Sequence, residues 1–312
     1  MAYADLKNDV VFRKIFGHHA DVTMGLLNDL LGRAGEQAIT ALEFLPPDQA
    51  PVVPGFKYSI VDVKCRDASG TTFVVEMQVL PVTGFLNRVV YNACKAYVGT
   101  LVRGAGYHAL TDVVAVSLCD FELWPDAERD RAGQPRVPLR SRWEMTERTA
   151  GGLGIPQVQY LFVELPKLGD RVPADEVERW VALFRAAPIL DPGEMAAVPL
   201  TNAQRHCLAL AQEETFTPAE RDAIARAHEE VDQFRRTVLA ESARARTEGR
   251  TEGRAEGSLA GRREALRTLA RVAGITPSAQ DEARIDGCAD AATLDRWIAN
   301  GRAARDAGEL FG

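Results

Sequence analysis

Two short segments near residue 60 alternate between apolar and polar side chains and predict a β-hairpin. Residues 58–65 and 72–79 each have a period of two, which is typical of strands with one buried face. The side chains predicted to face the core are Ser59, Val61, Val63 and Cys65 on the first strand and Phe73, Val75, Met77 and Val79 on the second. Each opposite face then carries one acidic residue, which is unusual beside a core.

The turn between these segments decides which residues face each other. A three-residue loop at 68–70, with Gly70 in the left-handed conformation, pairs Asp67 with Thr71. Counting outward places Asp62 opposite Glu76, with their Cβ atoms about 5 Å apart. Two carboxylates that close repel each other unless a proton or a cation lies between them, and divalent metal ions bind such oxygen pairs. We therefore predict a metal site here. The alternative is a pair of acids on a solvated sheet face.

Helical periodicity dominates the rest of the chain, including residues 84–103 and most of the sequence beyond residue 175. Glycines recur every four residues from Gly249 to Gly261, and each costs a helix about 1 kcal/mol relative to alanine. That stretch is either a flexible charged linker or a surface where two helices approach closely in a homo-oligomer. We predict four segments, which are a sheet-containing domain at 1–168, a helical extension at 169–241, the repeat at 242–262 and a small helical module at 263–312.

Composition limits the classes of function. The 312 residues are 46% hydrophobic and 26% charged, as in ordinary globular proteins. No apolar run approaches the roughly 18 residues that a membrane span needs, and charges interrupt the start of the chain, so we expect a cytoplasmic location and no membrane partner. The five cysteines lack zinc-site spacing. A net charge of −7 means that any basic surface must be local.

The order of these acidic residues resembles the PD-(D/E)xK nuclease superfamily, and more closely its recombination-promoting, transposase-like branch. That superfamily has an aspartate on one strand and glutamate-x-lysine on the next. Here Asp62 and "EMQ" at residues 76–78 match the pattern, with glutamine in place of the usual lysine. "NDVVFRKIFG" at 8–17 and "NRVVYNACKAY" at 87–97 resemble the flanking helices. The resemblance implies an α/β fold, with a restriction-endonuclease-like mixed sheet flanked by helices and an α-helical C-terminal extension.

The resemblance also implies a set of metal ligands and a reaction. Mg²⁺ or Mn²⁺ would bind Asp62, Glu76 and the backbone carbonyl of Met77, and Gln78 would orient the attacking water by hydrogen bonding. Lys64 lies diagonally across the hairpin from Glu76 and is expected either to supply the positive charge that Gln78 lacks or to form an exposed ion pair worth at most about 1 kcal/mol.

Three further residues are candidates for supporting roles. Arg88 and Tyr91 match the arginine and tyrosine of the resembled branch and are expected to hold the scissile phosphate or to brace the carboxylates. The alternative is an exposed basic helix face. Asp9 is either an additional carboxylate of the site or a first-turn acid that favours the helix dipole.

The predicted substrate is DNA. Candidate contacts to its phosphates are Lys95 and the arginines of a basic segment, Arg136, Arg140 and Arg142, and the alternative for that segment is a solvated loop. The sequence thus predicts a metal-dependent DNA endonuclease. Two alternatives are a catalytically inactive nuclease fold that binds nucleic acid or protein, and an oligomeric scaffold assembled through the C-terminal helices.

Overall fold

The computed structural model describes most of the chain, in two compact units. The described residues are 3–49, 59–102, 104–125, 137–149, 151–190, 198–301 and 304–312, without the side chains of 239 and 241–255. The units are Met1–Gln233 and Phe234–Gly312.

The first unit contains helices α1 to α5, strands β1 to β8 and the start of α6. The elements are α1 (Asp9–Phe16), α2 (Ala20–Leu31), β1 (Leu42–Leu45), β2 (Asp48–Gln49), β3 (Ser59–Ile60), β4 (Val63–Asp67), β5 (Thr72–Gln78), α3 (Phe85–Val98), β6 (Val113–Cys119), β7 (Arg140–Thr146), β8 (Gly154–Glu164), α4 (Glu176–Ala186), α5 (Asn202–Leu210) and α6 (Pro218–Val272).

Six strands form one mixed sheet in the order β1-β4-β5-β6-β8-β7. Strands β5, β6 and β8 are parallel, and the remaining pairs are antiparallel. Strands β2 and β3 form a separate short ribbon. The predicted mixed α/β architecture is therefore confirmed. Because parallel strands end at the same edge, the carboxyl ends of β5, β6 and β8 meet there.

Both faces of the sheet are buried, so the prediction of one buried face was wrong. Helices α1, α2, α4 and α5 cover one face, and α3 covers the other. Six of the seven residues of β5 are buried as a result. The predicted alternation also fails before β4. Val61 packs on the α3 side and Val63 on the opposite side, because the chain leaves the strand conformation between β3 and β4.

Aromatic side chains join α4 to the N-terminal helices. Phe12 and Phe16 have ring centroids 4.7 Å apart, and Phe184 stacks on Phe16 at 5.6 Å. Trp180 is fully buried and donates its indole N–H to Asp29 at 2.8 Å. The first helix beyond the sheet thus shares a core with the sheet domain and positions α1 beside the hairpin.

The hairpin has the predicted register. Lys64 pairs with Val74, and Arg66 pairs with Thr72. The Asp67 N–H donates to the Thr71 carbonyl at 3.0 Å, and Gly70 has a φ of +90°. A glycine is favoured at this position because other residues rarely adopt such a conformation.

The second unit is helical and has its own small core. After the C-terminal part of α6 come α7 (Ala279–Gly287), α8 (Ala291–Asn300) and α9 (Ala307–Phe311). The buried side chains of this core are Leu266, Ala270, Ile275, Ile285, Leu294, Trp297, Leu310 and Phe311. The predicted linker at 242–262 has helical backbone as part of α6. Among the described residues, no helix combines the length and the apolar character that a bilayer crossing requires.

Replacement of Gly70 by alanine should destabilise the first unit by about 1–2 kcal/mol, because an L-residue is strained at this φ. Its Cβ would also lie 3.1 Å from Cγ2 of Thr111. Urea unfolding measures the change. Gly70→Asn is the matched variant and should lose less stability, since asparagine tolerates the left-handed region better. Wild-type stability in Gly70→Ala would contradict this account of the turn.

Candidate active site

The first candidate residue, Asp62, lies in the interruption just before β4. Its Oδ2 accepts a hydrogen bond from the backbone N–H of Met77 at 2.9 Å. The side chain is 14% exposed. The departure of the chain from the strand conformation therefore turns this carboxylate onto the end of β5, beside the residue that follows Glu76.

The second carboxylate, Glu76, lies on β5 under helix α3. Its Oε1 accepts a hydrogen bond from Nδ2 of Asn92 at 2.8 Å, and its Oε2 is 3.5 Å from Nη2 of Arg88. Its side chain is 10% exposed. Arg88 and Asn92 are four residues apart on α3, so they lie on one side of the helix and both reach the same carboxylate.

Burial raises the pKa of both carboxyl groups above their usual values. For Asp62 the Met77 N–H and the charge of Arg13 oppose this effect only in part. For Glu76 the hydrogen bond from Asn92 and the charge of Arg88 oppose it, while the negative charge of Asp62 raises the pKa further. The two groups are thus buried and close enough to interact electrostatically, and their guanidinium and hydrogen-bond partners offset the effect of burial only in part. A cation is favoured at such a position.

Arg13, which the sequence analysis did not single out, is the main partner of Asp62. Its Nε and Nη2 donate to Oδ1 of Asp62 at 3.1 and 2.9 Å. Nη2 also lies 4.0 Å from Oδ2 of Asp9, one helical turn earlier. The i, i+4 spacing of these two residues was visible in the sequence, but their orientation toward Asp62 depends on how α1 packs.

Gln78 has hydrogen-bond partners at both ends of its side-chain amide. Its Oε1 accepts from Nη2 of Arg88, and its Nε2 donates to the Leu80 carbonyl at 2.7 Å. Arg88 therefore lies between Gln78 and Glu76, and a positive charge stands beside the residue that replaces the usual lysine.

Lys64 points to the α3 side but has other cations as neighbours. Burial lowers the pKa of Lys64, and the positive charges of Arg66 and Lys95 lower it further. Within the part of the chain that the structure describes, no ion pair joins Lys64 to Glu76. The predicted exposed ion pair is therefore not formed.

Tyr91 and Lys95 lie on α3 near the β2–β3 ribbon. Nζ of Lys95 donates to the Gln49 carbonyl at 2.5 Å and to Oγ of Ser59 at 3.2 Å. It also lies 5.3 Å from the centroid of the Tyr91 ring. These contacts hold α3 against the ribbon.

The predicted basic segment is partly a strand. Arg140 is on β7, and its Nη1 lies 3.3 Å from the carbonyls of Asp29 and Leu30 at the end of α2. Arg142 donates from Nε to Oε1 of Gln159 on β8 at 3.1 Å. Arg136 lies outside the described residues.

The donor set suits a hard divalent cation. In the described ranges, no group of three or more histidine, cysteine, aspartate or glutamate side chains is placed to hold a metal. Asp62 and Glu76 are a pair, so further ligands would have to be backbone oxygens and water. Mg²⁺ commonly binds through one or two carboxylates and keeps several waters. Two buried carboxylates that interact electrostatically therefore fit such an ion.

One of three comparisons with known proteins gave a match. A family model described as a PD-(D/E)XK nuclease family transposase matches residues 6–233, which is more than half of the chain. The superfamily resemblance that the sequence suggested is confirmed. Neither the curated proteins nor the solved structures gave a match.

Glu76→Gln should stabilise the metal-free protein near neutral pH. Since the folded-state pKa of Glu76 is raised, the folded protein favours the protonated form, and stability is lost as pH rises from the usual glutamate value through the folded pKa. The neutral amide avoids that loss. Urea unfolding should therefore give Glu76→Gln a larger free energy of unfolding than the wild type at pH 7.5. At pH 5 this difference should be smaller.

The control for this measurement is Glu36→Gln, which removes an exposed carboxylate of the same unit. At pH 7.5 it should change the free energy of unfolding much less than Glu76→Gln does. A Glu76→Gln protein that is less stable than the wild type at pH 7.5 would contradict the prediction.

Proposed function

Because the chain belongs to the PD-(D/E)XK nuclease family transposases, we propose that it is a divalent-metal-dependent DNA endonuclease of the recombination-promoting type. Its reaction would be the hydrolysis of phosphodiester bonds. The observation that carries the proposal is the pair of buried carboxylates, Asp62 and Glu76, each with a raised pKa and each held by fixed donors. The proposed cofactor is Mg²⁺, with Mn²⁺ as the alternative.

In this proposal Asp62, Glu76 and the backbone carbonyl of Met77 hold the metal. A bound divalent ion would lower the pKa of a water and offset the charge that grows on the phosphate during attack. The Met77 N–H and the Asn92 amide keep the two carboxylates oriented. The low exposure of the two side chains, 14% for Asp62 and 10% for Glu76, limits the water that competes with these contacts.

Gln78 and Arg88 are proposed to act together. An amide orients a water but carries no charge, whereas a guanidinium is always charged and matches phosphate oxygens. Since Arg88 contacts both Gln78 and Glu76, it is the cation that we assign to the phosphate in place of the family's usual lysine. Asp9 is proposed to act through Arg13 rather than as a ligand.

DNA contacts outside the reacting centre remain proposals. Lys95 is a candidate on the α3 side, where Tyr91 supports it, and Arg140 and Arg142 are candidates on β7. Each phosphate that they neutralise would add to the salt dependence of binding. Lys64 stays a candidate for the positive charge that Gln78 lacks.

Assembly into a homo-oligomer and a cytoplasmic location remain predictions from the sequence.

Asp62→Asn and Glu76→Gln should each reduce cleavage of supercoiled plasmid DNA in Mg²⁺ by at least about 100-fold, because a neutral amide replaces a charged ligand of the ion. Gel electrophoresis of nicked and linear products over time measures the rate. Glu36→Gln should cleave at the wild-type rate. Equal nicking by the wild type and both site variants would remove the assignment.

A second function is favoured by one observation. Gln78 is uncharged and has a partner at each end of its amide, so the fold can bind nucleic acid or a protein partner without turnover. Calorimetry with Mn²⁺ separates the two functions when combined with the cleavage assay. Metal binding with cleavage supports the endonuclease, and absence of both supports the binding protein.

A further inference from the structure

The two carboxylates of the site are held by donors of different charge. Asp62 is held by the guanidinium of Arg13, which directs two N–H groups to Oδ1. Glu76 is held by the neutral amide of Asn92, with the charged Arg88 farther away at 3.5 Å. Asp62 thus has an ionic partner as close as its neutral backbone donor, whereas the closest donor to Glu76 is neutral.

In the described contacts, both oxygens of Asp62 have donors from the chain. Oδ1 accepts hydrogen bonds from Arg13, and Oδ2 accepts one from the Met77 N–H. A guanidinium in direct contact with a carboxylate repels a divalent cation that approaches the same carboxylate, and the repulsion is strong where water is largely excluded. Asp62 is only 14% exposed, so solvent screens this repulsion weakly.

We infer that Arg13 is the internal counter-charge of Asp62 and competes with the divalent metal for that carboxylate. This inference rests on the proposed function, because it requires a metal at Asp62 and Glu76. Arg13 neutralises Asp62 in this structure, and the guanidinium would have to leave Asp62 for a divalent ion to bind there. Arg13 is therefore a positioning residue that sets metal affinity, and it is not a catalytic residue.

Asp9 gives the displaced guanidinium another carboxylate. It lies one turn before Arg13 on α1, with its Oδ2 4.0 Å from Nη2. Arg13 is 47% exposed and Asp9 is 53% exposed, so the arginine can rotate from Asp62 toward Asp9 without crossing the core. The i, i+4 pair on α1 supplies the second position of this exchange.

The test is calorimetric titration of the full chain with Mn²⁺ and with Mg²⁺ at pH 7.5. Arg13→Gln keeps amide donors but removes the charge, and it should bind Mn²⁺ about tenfold more tightly than the wild type. Arg13→Lys keeps the charge and should stay within about twofold of the wild type. Asn92→Ala should bind more weakly, because it removes a neutral donor that orients Glu76.

Two further variants complete the design. Arg148→Gln removes an exposed positive charge from the connection between β7 and β8. Strand β7 forms the edge of the sheet opposite to β1, so the variant should leave Mn²⁺ affinity unchanged. Asp9→Asn should weaken Mn²⁺ binding in the wild-type background and have little effect in the Arg13→Gln background, since Asp9 acts through Arg13. Thermal unfolding without metal verifies that each variant is folded.

The outcomes separate this inference from the proposed function. If the wild type binds Mn²⁺ and folded Arg13→Gln binds it equally or more weakly, the role of Arg13 is overturned and the metal site stands. If neither protein binds Mn²⁺ or Mg²⁺, both proposals fail. Equal effects of Asp9→Asn in the two backgrounds would overturn the exchange between Asp62 and Asp9.

Discussion

The burial of two carboxylates at the end of one hairpin is the constraint on which the rest of this structure depends. Charged oxygens removed from water need donors, and the chain supplies them from three directions. The backbone of β5 and helix α1 hold Asp62, and helix α3 holds Glu76. These donors offset only part of the effect of burial, so the pKa of both groups stays raised in the folded protein.

This requirement is met by helices that pack through apolar cores on both faces of the sheet. Helix α1 must lie against one side for Arg13 to reach Asp62, and the aromatic cluster with α4 fixes it there. Helix α3 must cover the other side for Asn92 to reach Glu76. Packing that stabilises the fold therefore also orients the polar groups of the site. A loss of core packing would move the donors away from the carboxylates.

Local charge differs from the charge of the whole chain. The net charge is −7, yet the hairpin and α3 bring several cations close to the two acids, among them Arg13 and Arg88. Lys64 has two basic neighbours that lower its pKa. Such a concentration of cations in an acidic protein suits a polyanionic substrate at this surface, since association depends on the local field rather than on the total.

The sequence by itself determined the hairpin turn and the register of its two strands. Those features depend on short-range rules, because a glycine turn and strand alternation involve residues that are close along the chain. Counting outward from that turn placed Asp62 opposite Glu76, whereas the observed strand pairing ends at Val63 and Val75. Only the tertiary structure decided that α3 covers the second face, that the strand breaks before Val63, and that Arg13 contacts Asp62 from 49 positions away. Contacts of that separation depend on how helices pack on a sheet, and residue spacing along the chain does not encode that packing.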